Sequence, residues 1–296
     1  MLIEGTTPLW IAARVLLHER GDDLFRRRDK VLKTFDPDDI HDLRVASRRL
    51  REGLALFAPC YLPEKINRLV RKIRQVTRLL GDIRNADEAL LFFTALADEF
   101  GNSCRSDLEG LAGKFQENRK KGLKKLRNGL REMAPAPLRD LYLRTINSPS
   151  LFNPPAGGAD LFVPLSGFAK GALAARLADV MKLVPAARHA GEVEAQHLLR
   201  IAVKHFRYRM EILAMLMGTD YEELHAALKS YQEVLGKMHD LDVFAGIVRK
   251  EGFPAETEKP VLDAIALRRA KLFKDFTVML EAAPFEAIGQ RVRHAL

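Results

Sequence analysis

Apolar residues recur every three or four positions along most of the chain, and the clearest case is Ile40–Phe57, IHDLRVASRRLREGLALF. On a helix turning about 100° per residue, Leu43, Ala46, Leu50, Leu54 and Phe57 share an arc of about 80°. His41, Arg44, Arg48 and Arg51 share a second arc of about 80° on the far side. A second copy lies downstream at Gln196–Leu213, QHLLRIAVKHFRYRMEIL. Aligned without gaps, His41 falls on His197, Arg44 on Arg200, Arg48 on Lys204 and Arg51 on Arg207, at a constant offset of 156 residues. Leu199, Ala202, Phe206, Met210 and Leu213 repeat the apolar arc. Each copy predicts a helix with one face packed into a core and the other presenting a row of cations.

The same spacing organises the rest. Pro8 to about Phe35 reads as a long helix with Leu9, Ala12, Ala13, Leu16 and Leu17 inward and Pro at its start. Pro8, Leu9 and Arg14 precede Pro164, Leu165 and Lys170 by 156 residues, so the repeat begins at this helix, and Arg14 and Lys170 become secondary candidates. Asp36-Pro37-Asp38-Asp39 breaks the chain and places acids at the start of the next helix, where the helix dipole favours them. A third helix opens at Pro63. Arg71, Arg74 and Arg78 lie within about 60° on it, with Leu69, Ile73, Val76 and Leu80 for packing, and Gly81 reads as its stop. Its partner runs from Asp220 to Leu235, with Gly236 as the stop, at offset 155. There Lys229 matches Arg74, but Ala226 replaces Arg71 and Glu233 replaces Arg78. Arg84 falls on His239 and Asp87 on Asp242. Asp87–Phe100, Leu108–Met133 and Val261–Leu280 predict further helices. Residues 134–163, rich in Pro and carrying Gly157 and Gly158, read as a linker between an N-terminal half, 1–133, and a C-terminal half, 164–296. No sustained period-2 pattern appears. The expectation is an all-α protein of two related helical bundles forming one domain.

Charge sharpens this picture. The formal net charge is +9. Residues 1–150 carry 29 Lys/Arg against 21 Asp/Glu, and His41–Arg84 carries 11 against 4. Such a field attracts polyanions: nucleic acid, polyphosphate or an anionic membrane face. The two cysteines, Cys60 and Cys104, give neither a disulfide framework nor a metal spacing. No signal peptide is recognisable, and no run approaches the roughly 20 apolar residues that span a bilayer. The expectation is a soluble cytoplasmic protein without membrane insertion.

Four chemistries compete for the His/Arg rows. Polyanion binding needs cations at regular intervals, Arg as a fork of donors and Lys as a point charge, and needs neither nucleophile nor base. Metal binding by His41 and His197 lacks an HExxH or Cys partner, and the neighbouring arginines repel a cation. Phosphohydrolase or phosphotransferase chemistry lacks a Gly-x-x-x-x-Gly-Lys loop and a cluster of acids for Mg²⁺, although Asp82 and Asp87 stand near the row. In the structural alternative the histidines cap or orient their helices and the cations are merely solvated. For a nucleic-acid reader the rows lack interleaved aromatics, since Phe57 and Phe206 lie on the apolar side.

His41-Asp42-Leu43-Arg44-Val45-Ala46-Ser47-Arg48-Arg49-Leu50-Arg51, followed by Leu80-Gly81-Asp82-Ile83-Arg84-Asn85-Ala86-Asp87, resembles the first half of the CHAD family, the conserved histidine α-helical domain. His197–Tyr208, Glu211 and Leu235-Gly236-Lys237-Met238-His239-Asp240-Leu241-Asp242 resemble its second half. The resemblance runs from about Pro8 to the C-terminal helix. It implies two bundles related by a pseudo-twofold axis with a basic cleft or pore between them. It also implies binding of inorganic polyphosphate at polyphosphate granules, without catalysis or cofactor. The binding residues it implies are His41, Arg44, Arg48, Arg51, His197, Arg200, Lys204 and Arg207, with Arg74, Arg78 and Lys229, and more weakly Arg14 and Lys170. His205 stands where the family often has Arg, and Glu233 interrupts the second row. The Glu-x-Glu-x-Lys signature of the triphosphate-tunnel (CYTH) domain carried by many relatives is absent, since Glu192-Val193-Glu194-Ala195-Gln196 lacks the Lys. The likeness is therefore to the stand-alone form. Nucleic-acid backbone binding and, less favoured, an enzyme acting on phosphorylated substrates are the alternatives.

Overall fold

A computed structural model of the chain describes residues 2–101, 104–132, 135–151 and 160–296. Among them the regular structure is helical, apart from an isolated antiparallel bridge between Pro8 and Pro164. The chain divides into two compact units, Thr6–Leu165 and Met1–Gly5 with Ser166–Leu296.

In the first unit α1 (Leu9–Thr34), α2 (Pro37–Leu56), α3 (Pro63–Phe100) and α4 (Arg105–Glu132) pack each against the next. Leu43, Leu50, Leu54 and Phe57 of α2 are fully buried, as are Leu69, Ile73 and Leu80 of α3. Asp36 caps α2, accepting a hydrogen bond from the Asp38 amide at 2.9 Å, which satisfies one of the open amides of the first turn. Asp39 accepts from Lys30 at 2.6 Å and from Thr34 at 2.7 Å, and Arg27 pairs with Asp42. These contacts set α2 against α1 from below its cationic row. Thr77 of α3 meets the buried Ser47 of α2 at 3.2 Å and fixes that second contact.

In the second unit α6 (Leu165–Ala187), α7 (Val193–Ile212), α8 (Tyr221–Glu251), α9 (Ala255–Ala282) and α10 (Phe285–Ala295) follow. α7 packs on α8, and α8 on α9 and α10. Leu199, Phe206, Met210 and Leu213 of α7 are fully buried.

Two expectations are corrected. Gly81 and Gly236 do not stop helices: α3 and α8 run through them to Phe100 and Glu251. A glycine inside a helix costs about 1 kcal/mol relative to alanine. The buried pairs Leu80 with Ile83 and Leu235 with Met238 lie on either side of each glycine and hold the helix through it. The stops occur at later glycines, Gly101 with φ 60° and Gly252 with φ 75°, backbone that L-residues rarely adopt. The second correction concerns the linker. Pro135–Ile146 forms a helix, α5, that docks on α1 and α3. The buried hydroxyl of Tyr142 donates to the Leu17 carbonyl, and its ring covers Gly21 so closely that a Cβ there would stand 2.3 Å from it. The hydrophobic contact is amphipathic but short, and its prolines masked it. Gly157 and Gly158 lie outside the described residues.

Candidate functional site

In the N-terminal half the expected row forms on α2 and is joined by α3. His41 is exposed at its start, and Arg44, Arg48 and Arg51 follow, each half-buried. Arg74 and Arg78, one helical turn apart on exposed positions of α3, flank the far end. The Arg51 guanidinium is held below its ordinary range by burial, then by the repulsion of Arg74 and Arg48, with Glu52 opposing and Arg78 adding to it. Its Nε is shielded from water and has no hydrogen-bond partner among the described residues. His41 is likewise held below its usual value, first by desolvation of the ring, then by Arg44 and Arg84, with Asp42 opposing and Arg48 adding. Four arginines thus converge where α2 crosses α3. Arg14 of α1 stands exposed and acts electrostatically on the buried Tyr61.

In the C-terminal half the same positions behave differently. His197, Arg200 and Lys204 are half-buried on α7. Arg207 is not part of an open row: it is buried, donating from Nη1 to Glu211 at 2.5 Å and from Nε to Gln232 at 3.0 Å. His225 Nε2 stands 2.9 Å from Glu211 and 3.1 Å from Arg207. A guanidinium only donates and a carboxylate only accepts, so this nitrogen cannot serve both: as Nε2–H it donates to Glu211, and its approach to Arg207 is then a contact rather than a hydrogen bond. Lys229 is exposed and lies 3.8 Å from Glu233, its i+4 neighbour, so the residue that interrupts the row also engages its cation. Lys170 is exposed on α6, at the rim of an apolar groove against α10.

His239 of α8 is a residue that the sequence aligned with Arg84 but did not place in the site. Its Nδ1 lies 2.9 Å from Nδ1 of His197. One ring must donate and the other accept, so the neutral pair holds two different tautomers. One added proton can be shared across this contact, whereas a second would set two N–H groups head to head. Burial, then Arg200 and His197, push His239 down to about 4, and burial, Arg200 and Lys204 lower His197 against Glu194 and Asp242. The unfolded chain, with ordinary imidazoles near 6.5, binds more protons between these values than the folded one, so folding stability decreases as pH falls through that window. The melting temperature of the ligand-free protein is therefore expected to drop from pH 7 to pH 4.5, and the His197→Gln/His239→Gln double substitution to flatten that slope. Calorimetry over this range decides it. An unchanged slope would remove the pair as its source and point to His41, whose ring is held low in the same direction.

Asp87 and Asp242, the acids that close the two Leu-Gly motifs, serve structure. Arg119 of α4 donates to Asp87 at 2.5 Å, and Arg269 of α9 donates to Asp242 at 2.5 Å. Arg269 also donates to Gln196 at 2.6 Å at the start of α7. Neither arginine was among the site residues expected from the sequence. Their role was hidden because partners 32 and 27 residues away are set by helix packing rather than by spacing. Among the described residues no three His, Cys, Asp or Glu side chains gather to hold a metal ion, and no helix is long and apolar enough to cross a membrane.

Residues 15–249 match the family model of the CHAD domain. The crystal structure of the CHAD domain from the plant Ricinus communis is similar with a TM-score of 0.66 at 23% identity, covering 100% of this chain and 95% of that one. PptA from Streptomyces chartreusis is similar with a TM-score of 0.65 at 15% identity, covering 97% of this chain and 100% of that one. These two likenesses speak to the fold. No curated protein matches the chain. With its family model spanning residues 15–249 of an all-helical chain, the protein belongs to the CHAD family.

Proposed function

We propose that this protein binds inorganic polyphosphate without transforming it, through the cationic faces of its two related halves, and that it associates with polyphosphate granules through that binding. The observation that carries this reading is the row of Arg44, Arg48 and Arg51 on α2 with Arg74 and Arg78 at exposed positions of the packed helix α3, their repulsion felt at Arg51 against the attraction of Glu52. Cations held together against their own repulsion suit a ligand that supplies many negative charges at close intervals. Polyphosphate is such a ligand and offers nothing but phosphates. The rows hold no aromatic platform for bases, since Phe57 and Phe206 are fully buried. Asp87, one of the two acids near the row, is engaged by Arg119. Membership of the CHAD family is compatible with this reading.

The test is a competition at near-physiological salt between long-chain polyphosphate and single- or double-stranded nucleic acid at equal phosphate concentration. Polyphosphate is expected to win. The Arg44→Ala/Arg200→Ala double substitution is expected to weaken its binding by about tenfold or more, each lost charge-assisted contact contributing to the change. Melting temperature should stay close to native, because partly solvated cations contribute little to folding. Equal or tighter binding of nucleic acid would make the rows general backbone readers and end the proposal. Polyphosphate hydrolysis that persists through purification and disappears on Asp82→Asn would make the protein an enzyme.

A further inference from the structure

His197 of α7 and His239 of α8 meet head to head, Nδ1 to Nδ1 at 2.9 Å, with ring centroids 4.1 Å apart. Neither Nε2 has a hydrogen-bond partner among the described residues, and neither is closed off from water. The contact uses one Nδ1 donor and one Nδ1 acceptor, so the two rings turn unlike faces outward. In the neutral pair the ring that donates from Nδ1 shows a lone pair at Nε2, and its partner shows Nε2–H. One added proton, held in the Nδ1 contact, makes both Nε2 atoms donors and gives the pair a single positive charge. An anion thus meets one donor and one repelling lone pair on the neutral pair, but two donors and a charge on the protonated one.

The protein leaves that charge uncompensated. His225, on the same helix as His239, has the Glu211 carboxylate at 2.9 Å. No carboxylate among the described residues is hydrogen-bonded to the His197–His239 pair. Glu194 of α7 and Asp242 of α8 attract the proton only electrostatically, and Arg269 of α9 engages Asp242 at 2.5 Å. Arg200 and Lys204, three and seven residues after His197 on the same face of α7, oppose the charge. Burial, Arg200 and His197 accordingly push His239 down to about 4. In the N-terminal half Arg84 occupies the position of His239 and pairs with Glu88, so His41 has no second imidazole there.

Granted polyphosphate binding as proposed above, we infer that phosphate bound beside Arg200 and Lys204 brings one proton into the His197–His239 contact, with His239 the positioning residue that makes the His197 Nε2 a donor to the ligand. A phosphate there neutralises Arg200, supplies the missing negative charge and accepts from both Nε2–H groups. Each of these effects favours the protonated pair. The complex therefore holds a proton at pH values where the free protein has lost it. By linkage the affinity rises as pH falls from the ordinary imidazole range near 6.5 toward about 4. Acid tightens the hold of the C-terminal half on its ligand.

The test is titration calorimetry of the full chain with long-chain polyphosphate at about pH 7 and about pH 5.5, each in two buffers of different ionisation enthalpy, which counts the protons taken up. Internal phosphates of a long chain stay ionised over this range, so the counted protons belong to the protein. The native protein is expected to take up protons as it binds, and to bind about tenfold more tightly at the lower pH, the effect of a shift of about one pH unit in the pair. His239→Gln is expected to lose most of the uptake and most of the pH dependence. His239→Arg, which supplies the residue of the N-terminal half, fixes the positive charge. It is expected to bind more tightly than the native protein at pH 7 and to gain nothing on acidification. His41→Gln removes the other histidine of the rows and is expected to subtract less from the uptake than His239→Gln does. Uptake that persists in both His239 variants, uptake that disappears with His41→Gln, or native affinity that is the same at both pH values would each overturn the pair while leaving polyphosphate binding intact. A native chain that binds no polyphosphate at either pH would instead overturn the proposed function itself.

Discussion

Glu211→Ala is expected to destabilise the protein by about 3–5 kcal/mol, the usual cost of leaving one member of a buried ion pair without its partner. Arg207 and Glu211 are 9% and 8% exposed, so water cannot replace the lost carboxylate. Gln232 continues to accept from Nε, but Nη1 would face only His225. At roughly 2–4 °C per kcal/mol for a unit of this size, the melting temperature falls by about 10 °C. Replacing both members with apolar residues of similar volume, Arg207→Met with Glu211→Leu, is expected to recover most of that loss, because it removes the desolvated charge along with its partner. Chemical denaturation of the two single variants and the double gives the coupling directly. If Glu211→Ala instead melts at the native temperature and binds polyphosphate more tightly, Arg207 is a ligand cation restrained by Glu211 rather than a structural one.

That contrast marks what the sequence can and cannot convey. The apolar arcs of α2 and α7 were legible because burial imposes the helical period on side-chain type, and Leu43, Leu50, Leu199 and Phe206 are buried as their spacing requires. The cationic arcs were legible for the same reason, at Arg44, Arg48, Arg200 and Lys204. Arg207 shared that arc and yet turned inward. Its outward direction was inferred from position on its own helix, whereas its environment comes from Gln232 and His225 on α8. Glu211 was visible at i+4, but an i,i+4 pair on an exposed face is worth only a few tenths of a kcal/mol, and only burial gives it weight. The pairing of His197 with His239 escaped the sequence reading by the same logic, since 42 residues separate them and only the packing of α7 on α8 brings their rings to 2.9 Å. Gly81 and Gly236 were overread because a local preference of about 1 kcal/mol loses to several buried leucines and isoleucines on either side. Gly101 and Gly252, where the stops do occur, carry the same residue type with a different backbone.

Polyphosphate affinity is expected to fall by about 10³-fold as monovalent salt rises from about 50 to 200 mM, the behaviour of a ligand held by roughly six phosphate contacts. Arg44, Arg48, Arg51, Arg71, Arg74 and Arg78 on α2 and α3 are that number of cations. The steepness arises because each phosphate neutralised releases condensed counterions, a gain that shrinks as bulk salt rises. The slope of log affinity against log salt therefore counts contacts, and substitutions should subtract from it in steps. Arg74→Gln and Arg78→Gln, at exposed positions of α3, are each expected to lower the slope by about one while leaving the fold intact. Arg51→Gln should lower the slope by a similar step and the affinity by more, because the half-buried Arg51 guanidinium meets a phosphate with less intervening water than the exposed cations do. Exposed cations that only attract at a distance would lose affinity and slope in proportion. A half-buried cation breaks that proportion, and fluorescence titrations of the three variants at four salt concentrations measure the break. A slope near one in the native protein, with tight binding kept at 200 mM, would mean that a single contact rather than a row of cations holds the ligand.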